Sequence, residues 1–217
     1  MAYFDSHPNL ILPSFSQNRT SNSDSYITKN LFKRGKIRDD FFKNAVAFEK
    51  FLIVGDDRPD NVAKEVYGDP ELDWVVLISN NILNVRDEWP MSQYDFQRYI
   101  TNKYDPEQLT QIHHYETKEV RDEEDILILE GGLTVDANFI FKYSQDGENF
   151  SLSGSDILNS FTNYDYETIK NDGKRDIFIV RSNYLDMIMS DMRTLMTYQD
   201  SSQYINRKTK LGDNIRI

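Results

Sequence analysis

The chain has no cysteine among its 217 residues, which removes disulfides, thiol nucleophiles and thiolate metal sites together. Histidine is nearly as scarce: His7 near the start and the adjacent His113 and His114 are all there is. On a strand the adjacent pair should project to opposite faces, whereas zinc needs three or four convergent ligands, so no metal site is expected. No run of about eighteen apolar residues occurs, so no segment is expected to enter a membrane. Met1 to Asp5 carries neither a basic stretch nor a long apolar one, which makes cytoplasmic synthesis the expectation. Basic residues are also short: 25 Lys and Arg face 36 Asp and Glu, for a net charge of -11 and a pI near 4.7. That balance opposes any affinity built on neutralising phosphates, so no nucleic-acid partner is expected. Gly-rich phosphate loops, a Gly-x-Ser-x-Gly elbow and His-Glu-x-x-His are all missing. Carboxylates are plentiful, but no pair is singled out for glycoside chemistry. No catalytic residue and no cofactor is expected.

What the chain does have is 39% hydrophobic residues with 13 each of Tyr and Phe, enough for a core beneath a wet surface, given a mean hydropathy of -0.64. Residues 13 to 28 are polar, serine-rich and aperiodic, and read as an extended arm. The aromatics Tyr3, Phe4, Phe15 and Tyr26 suggest that this arm docks on something. Lys33, Arg34, Lys36 and Arg38 make the one dense basic patch, read as a solvated or partner-facing segment.

The middle of the chain is punctuated for short elements. Phe51 to Val54 reads as a strand. Asp57 as N-cap with Pro59 in the first turn opens a helix whose Val62, Ala63, Val66 and Tyr67 share a face, and Gly68 stands where a left-handed residue is wanted. Asp69-Pro70 repeats the device for a second helix, Glu71 to Ser79, apolar over most of its circumference and therefore buried. Asn80 and Asn81 end it, and Ile82 is expected to return the chain toward the strand layer. A third helix follows Trp89 and Pro90, capped by Ser92 with Asp95 at N3, its Phe96, Tyr99 and Ile100 facing the preceding pair. From Gln111 the pattern turns to period two with turn chemistry between runs, predicting a β-meander over Ile112 to Val120, Ile126 to Leu129 and Phe139 to Tyr143. The acidic run Asp122 to Asp125 lacks calcium-loop spacing and reads as a solvated turn. Tyr164 to Ile169 and Ile177 to Val180 are expected to form a hairpin around Asn171 to Lys174. The last long element is a helix, Tyr184 to Tyr198, with Leu185, Ile188, Met189, Met192, Leu195 and Met196 in one stripe. Such a stripe suits either ordinary core packing or a partner subunit.

Val54 through Gly68, then Asp69-Pro70 and Leu77 to Ile82, resemble a LysM domain, a βααβ unit. Arg58-Pro59-Asp60, Trp74, Asn80 to Ile82 and Trp89-Pro90 resemble something narrower, the LysM-bearing baseplate wedge subunit of T-even-like contractile-tailed bacteriophages. Leu31 to Arg34, Ile112 to Glu116, Gly132, Val135, Asn163 to Tyr166 and Arg175 to Ile177 carry that resemblance outside the module. The fold class is then α+β: a LysM-like βααβ module with an extra helix, a small antiparallel β region and a C-terminal amphipathic helix. The segments are 1–48, arm and basic stretch; 49–104, module and third helix; 105–150, meander; and 151–217, hairpin and last helix. A LysM likeness implies a groove for N-acetylglucosamine-containing glycan at Asp56, Asp57, Arg58, Asn80, Asn81 and Ile82. The wedge likeness implies instead a structural clamp in the virion tail, joining neighbouring wedges around the hub through other wedge subunits. The clamp is favoured, with Phe15 and the stripe Leu185, Ile188, Met189, Met192, Leu195 and Met196 as candidate interface.

Overall fold

The computed structural model describes residues 2–13, 25–43, 45–145 and 147–212. In chain order these form strands β1 (Asn9–Pro13) and β2 (Ser25–Lys29), helix α1 (Asp39–Phe42), strand β3 (Phe48–Leu52), and helices α2 (Pro59–Tyr67), α3 (Asp73–Ser79), α4 (Val85–Glu88), α5 (Gln93–Lys103) and α6 (Pro106–Leu109). Strands β4 (Ile112–Thr117), β5 (Val120–Arg121), β6 (Leu127–Leu129), β7 (Thr134–Val135), β8 (Ile140–Gln145), β9 (Glu148–Ser153) and β10 (Leu158–Thr162) follow. Helix α7 (Asn163–Asp172), strand β11 (Asp176–Val180), helix α8 (Leu185–Leu195) and strands β12 (Tyr204–Asn206) and β13 (Thr209–Leu211) complete the path. The elements sort into two units, Met1–Trp89 with Arg175–Ile217, and Pro90–Lys174. This division cuts across the four segments expected from sequence, because α5 falls in the second unit and β11 and α8 in the first.

In the first unit β3 pairs antiparallel with β11, Phe51 opposite Ile177 and Glu49 opposite Ile179. Helices α2 and α3 supply Val62, Ala63, Trp74, Val75 and Val76 to the same core cluster as Ile177, Ile179 and Val180. Helix α2 begins with Pro59 at its first position, and Gly68 ends it at φ 77°, a left-handed conformation that costs glycine least. Its N-cap is Arg58 with no side-chain hydrogen bond, so the expected cap at Asp57 is corrected; the Asp57 carbonyl instead accepts from Trp89 Nε1 at 2.9 Å. Asp69 does cap the next turn, accepting from the Glu71 N–H at 2.9 Å. That turn is 3-10 over Pro70–Leu72 before α3 proper begins.

The return strand is not where the sequence pattern put it. Asn81 sits at φ 54° and the Ile82 N–H donates to the Leu77 carbonyl at 2.9 Å. The chain then enters α4, capped by the Asn84 side chain. The Glu88 carboxylate accepts from the Leu83 and Asn84 N–H groups at 2.5 and 2.9 Å, and those backbone bonds hold its pKa below the usual range. With its donors satisfied locally, this segment has no need of a sheet, and the partner of β3 comes from β11.

Strands from both ends of the described chain build a four-stranded sheet in the order β12-β13-β1-β2. Part of the expected arm is therefore regular structure, and its His7 is buried, with Nδ1 3.1 Å from the Tyr3 carbonyl.

The second unit has a smaller core around Phe96, Ile100, Ile157 and Leu158. Ser92 caps α5 as its spacing predicts, its side chain accepting from the Asp95 N–H. Within this unit the face bearing Phe96 meets α7, where the Tyr164 ring lies edge-on at 6.2 Å. The expected meander is present as short pieces: β4 between β10 and β7, and the hairpins β5-β6 and β8-β9. The acidic run is a turn closed by Asp122, whose carboxylate accepts from the Glu124 and Ile126 N–H groups. The hairpin expected at Tyr164 to Val180 is corrected. Residues Asn163–Asp172 are helical because Thr162 and Asp165 form a capping box, and β11 pairs with β3 instead.

Candidate interaction surface

The six groove residues expected from the LysM likeness have separate roles. Asn80, at the end of α3, donates Nδ2 to the Phe178 and Val76 carbonyls at 2.8 and 2.9 Å, and its Oδ1 accepts from the Phe178 N–H at 2.8 Å. Its amide thus stands in for a strand beside β11 and also satisfies an orphan carbonyl at the end of α3. Arg58 pairs with Asp60 at 3.2 Å on the surface. Asp57 is tied to Trp89 through its carbonyl and to Asn61 through its side chain. Asn81 lines a depression of about 380 Å3 whose other walls are Arg34, Gly35, Lys36, Phe42 and Ile78. Ile82 is a partly buried neighbour of the core, and Asp56 lies in the turn between β3 and α2.

The stripe on α8 is turned inward, in the core-packing arrangement that the pattern also suited. Ile188, Met192 and Met196 belong to the buried cluster, and Leu185 and Met189 pack against it. Of the six, Leu195 stays open, at 42% exposure. The physical reason is the core's own demand for apolar cover. Gly35 approaches this helix so closely that a Cβ there would overlap the Met192 thioether. Phe15 lies outside the described residues.

The basic segment is a strap across the first unit. The Lys33 ammonium donates to the Thr197 carbonyl at 2.6 Å and sits over the Tyr198 ring. The Gly35 N–H donates to the Tyr3 hydroxyl at 3.0 Å. Arg38 pairs with Asp40 and Asp191 at 3.2 and 3.4 Å. Lys36 pairs with Asp39 at 2.6 Å with both side chains largely in solvent. Arg34 is exposed.

Just before the strap, β2 forms an edge of the terminal sheet. The Asn9 N–H donates to Lys208 and the Ile11 carbonyl accepts from Gly212, so these residues face β13 while Leu10 and Leu12 face β2. They meet Thr28 and Tyr26, which leaves the Ile27 N–H and C=O directed to the open side. Every residue of β2 is exposed, Ile27 at 68%, and Leu31 and Phe32 follow at 68% and 97%.

The second unit holds two polar clusters. Glu167, 3% exposed, accepts from Lys103 Nζ at 2.5 Å, and from the Tyr104 and Tyr99 hydroxyls at 3.0 and 3.3 Å. Burial pushes its carboxyl up, but the hydrogen bonds from Lys103 and Tyr104 outweigh that and leave it below the usual range. His113 and His114 do not diverge as expected. The pairing steps from Phe161 with His114 to Thr162 with Ile112, so His113 is the extra residue of a β-bulge and the alternation fails there. The two Nδ1 atoms lie 2.9 Å apart. His113 stacks on Tyr166 and His114 on Phe161, while His114 Nε2 meets Glu116 at 3.0 Å. Among the described residues, no group of three or more His, Asp or Glu could hold a metal ion, and no helix is long and apolar enough to cross a membrane.

An open strand edge, exposed aromatics and a basic strap mark the surface of the first unit, and the comparison with known families gives the protein a class, that of phage baseplate proteins. The model of the family described as base plate wedge protein 53 matches residues 14–196, and the chain belongs to this family. It is a structural family of the phage baseplate, so the chain is a structural baseplate protein. Over 68 residues the chain is 34% identical to the baseplate wedge protein gp53 of Enterobacteria phage T4, an alignment covering 30% of this chain and 35% of that protein. The matched stretch thus spans about a third of that relative's length. Strands β1, β12 and β13 lie outside the family match.

Proposed function

We propose that this protein clamps neighbouring wedges together around the central hub of a contractile tail, through protein-protein contacts made chiefly by its first unit. The observation that carries the reading is the run from β2 through Phe32. It combines an open strand edge with large apolar side chains, both of which proteins normally cover. The arrangement of β3, α2, α3 and β11 supports a LysM-like scaffold whose second strand is delivered only after residues 90–174. Glycan capture is the weaker reading, because the Asn80 amide is engaged by Val76 and Phe178 and Asn81 opens on the basic strap. A joint of this kind is expected to bury on the order of 1,200 to 2,000 Å2.

The test is to incubate the purified chain with insoluble peptidoglycan and, separately, with the other purified wedge subunits. Retention by wedge subunits, weakened by Ile27→Asp with Phe32→Asp, is the expected result. Retention by peptidoglycan alone would reverse the ranking.

A further inference from the structure

We propose that the depression beside Asn81 is a docking site for an acidic peptide segment of a neighbouring baseplate subunit, one in which a carboxylate adjoins an apolar side chain. This deepens the clamp reading and rests on it. Its volume of about 380 Å3 is in the range of built ligand pockets, and its walls are of two chemistries. Arg34 and Lys36 supply charge, Phe42 and Ile78 supply apolar surface, and Asn81 completes the lining with an amide.

Charge complementarity selects the occupant. From Lys29 to Arg38 the chain has five cations and no carboxylate, within a molecule of net charge -11. Arg34 acts on the Glu88 carboxylate only at longer range, with no ion pair within 4 Å among the described residues, and the Lys36 pair with Asp39 leaves the two side chains 71% and 77% exposed, so exchanging that carboxylate for a partner's costs little. The apolar wall is fixed in advance. Phe42 stacks on Phe48 at 5.4 Å and 9°, which holds one ring face and leaves the other available. A phosphate polyanion has no use for that ring and meets the repulsion of the whole acidic chain. A peptide bearing both a carboxylate and an apolar side chain uses every wall.

The experiment uses the full chain and the purified wedge subunits of the same phage. Binding is measured at low and high salt for the unaltered protein, for Arg34→Glu with Lys36→Glu, and for Lys64→Glu as a charge reversal elsewhere on the first unit. The double variant is expected to bind about tenfold more weakly at low salt and to lose most of the salt dependence, since reversed charges then face the partner's carboxylate. Lys64→Glu is expected to match the unaltered chain. A photo-crosslinking phenylalanine analogue at position 42 should capture a subunit peptide with Asp or Glu within two residues of an apolar one. Undiminished binding by the double variant, or crosslinks only to neutral or basic segments, would overturn the site while leaving the clamp intact. Tighter binding of polyphosphate than of any wedge subunit would overturn it as well. If the unaltered chain binds no wedge subunit at all, the clamp reading itself fails.

Discussion

Replacing Asn80 with alanine should destabilise the first unit by about 2 kcal/mol, and the reasoning is open to measurement at each step. The side chain makes three hydrogen bonds of 2.8 to 2.9 Å, two to Phe178 and one to Val76. At roughly 0.5–1.5 kcal/mol net apiece they contribute about 1.5–4.5 kcal/mol in sum. Phe178 is half exposed, so water can replace part of that loss, whereas Val76 is fully buried; the lower half of the range is therefore expected. Asn80→Asp separates geometry from charge. It keeps the acceptor for the Phe178 N–H but sets a negative oxygen against two carbonyls, so it should be at least as harmful as alanine.

The assay is built into the chain. Its two tryptophans, Trp74 and Trp89, both lie in the core of the first unit, so urea unfolding followed by tryptophan fluorescence reports that unit alone. Hydrogen exchange at the Phe178 amide gives an independent reading of the same bond. A shift below about 0.5 kcal/mol, with Phe178 protection unchanged, would refute the claim that Asn80 braces β11 and return it to the pool of surface residues free to contact a ligand.

Met192→Asp, which puts a carboxylate into the core, should cost the first unit about 3 kcal/mol or more, while Leu195→Asp should shift the same urea curve by under about 0.5 kcal/mol; equal effects would mean α8 is rotated from the orientation described. Glu167→Gln should destabilise the second unit by about 2 kcal/mol, less than for a fully buried pair because Lys103 is 40% exposed. Because the folded carboxyl lies below its ordinary value of 4.5, its stabilisation is fully present above that pH and disappears as pH falls through the lower folded value. Acid titration by circular dichroism should show this limb in the native chain and a flatter one in Glu167→Gln. Thr162→Ala removes the capping box of α7 and should lower the stability of the second unit by about 1 kcal/mol; no change in its thermal midpoint would argue that the helix is held by packing alone.

What could be read from the sequence was what is written locally. Pro59 and Gly68 bracket α2, Asp69 caps the following turn, and Ser92 with Asp95 opens α5, because in each case donor, acceptor or backbone preference lies within a few residues. The signal for α7 was also local and was outweighed: Thr162 and Asp165 have capping-box spacing, but Tyr164-Asp165-Tyr166-Glu167-Thr168-Ile169 alternates like a strand and is rich in strand-favouring residues. The bulge at His113 depends on the register of β10, and no spacing within β4 declares it. For α8 the stripe was legible but not its direction, since a buried core and a partner's groove ask for the same side chains.

The candidate site was the least legible part, and the reason is topological. The loop after α3 looked free to bind because its natural neighbour, the strand beside it, is nearly a hundred residues away in sequence. Once β11 arrives, Asn80 becomes a brace, and Asn81 is left facing the strap that runs from Lys33 to Arg38. The same distance constrains folding. Ile177, Ile179, Val180, Ile188, Met192 and Met196 all belong to the core that β3, α2 and α3 begin, so the first unit cannot close until the chain has passed through residues 90–174. The depression at Asn81 is lined only by residues that precede the insertion, yet the core that supports it is completed from both sides, so the surface takes its final form only with the completed unit.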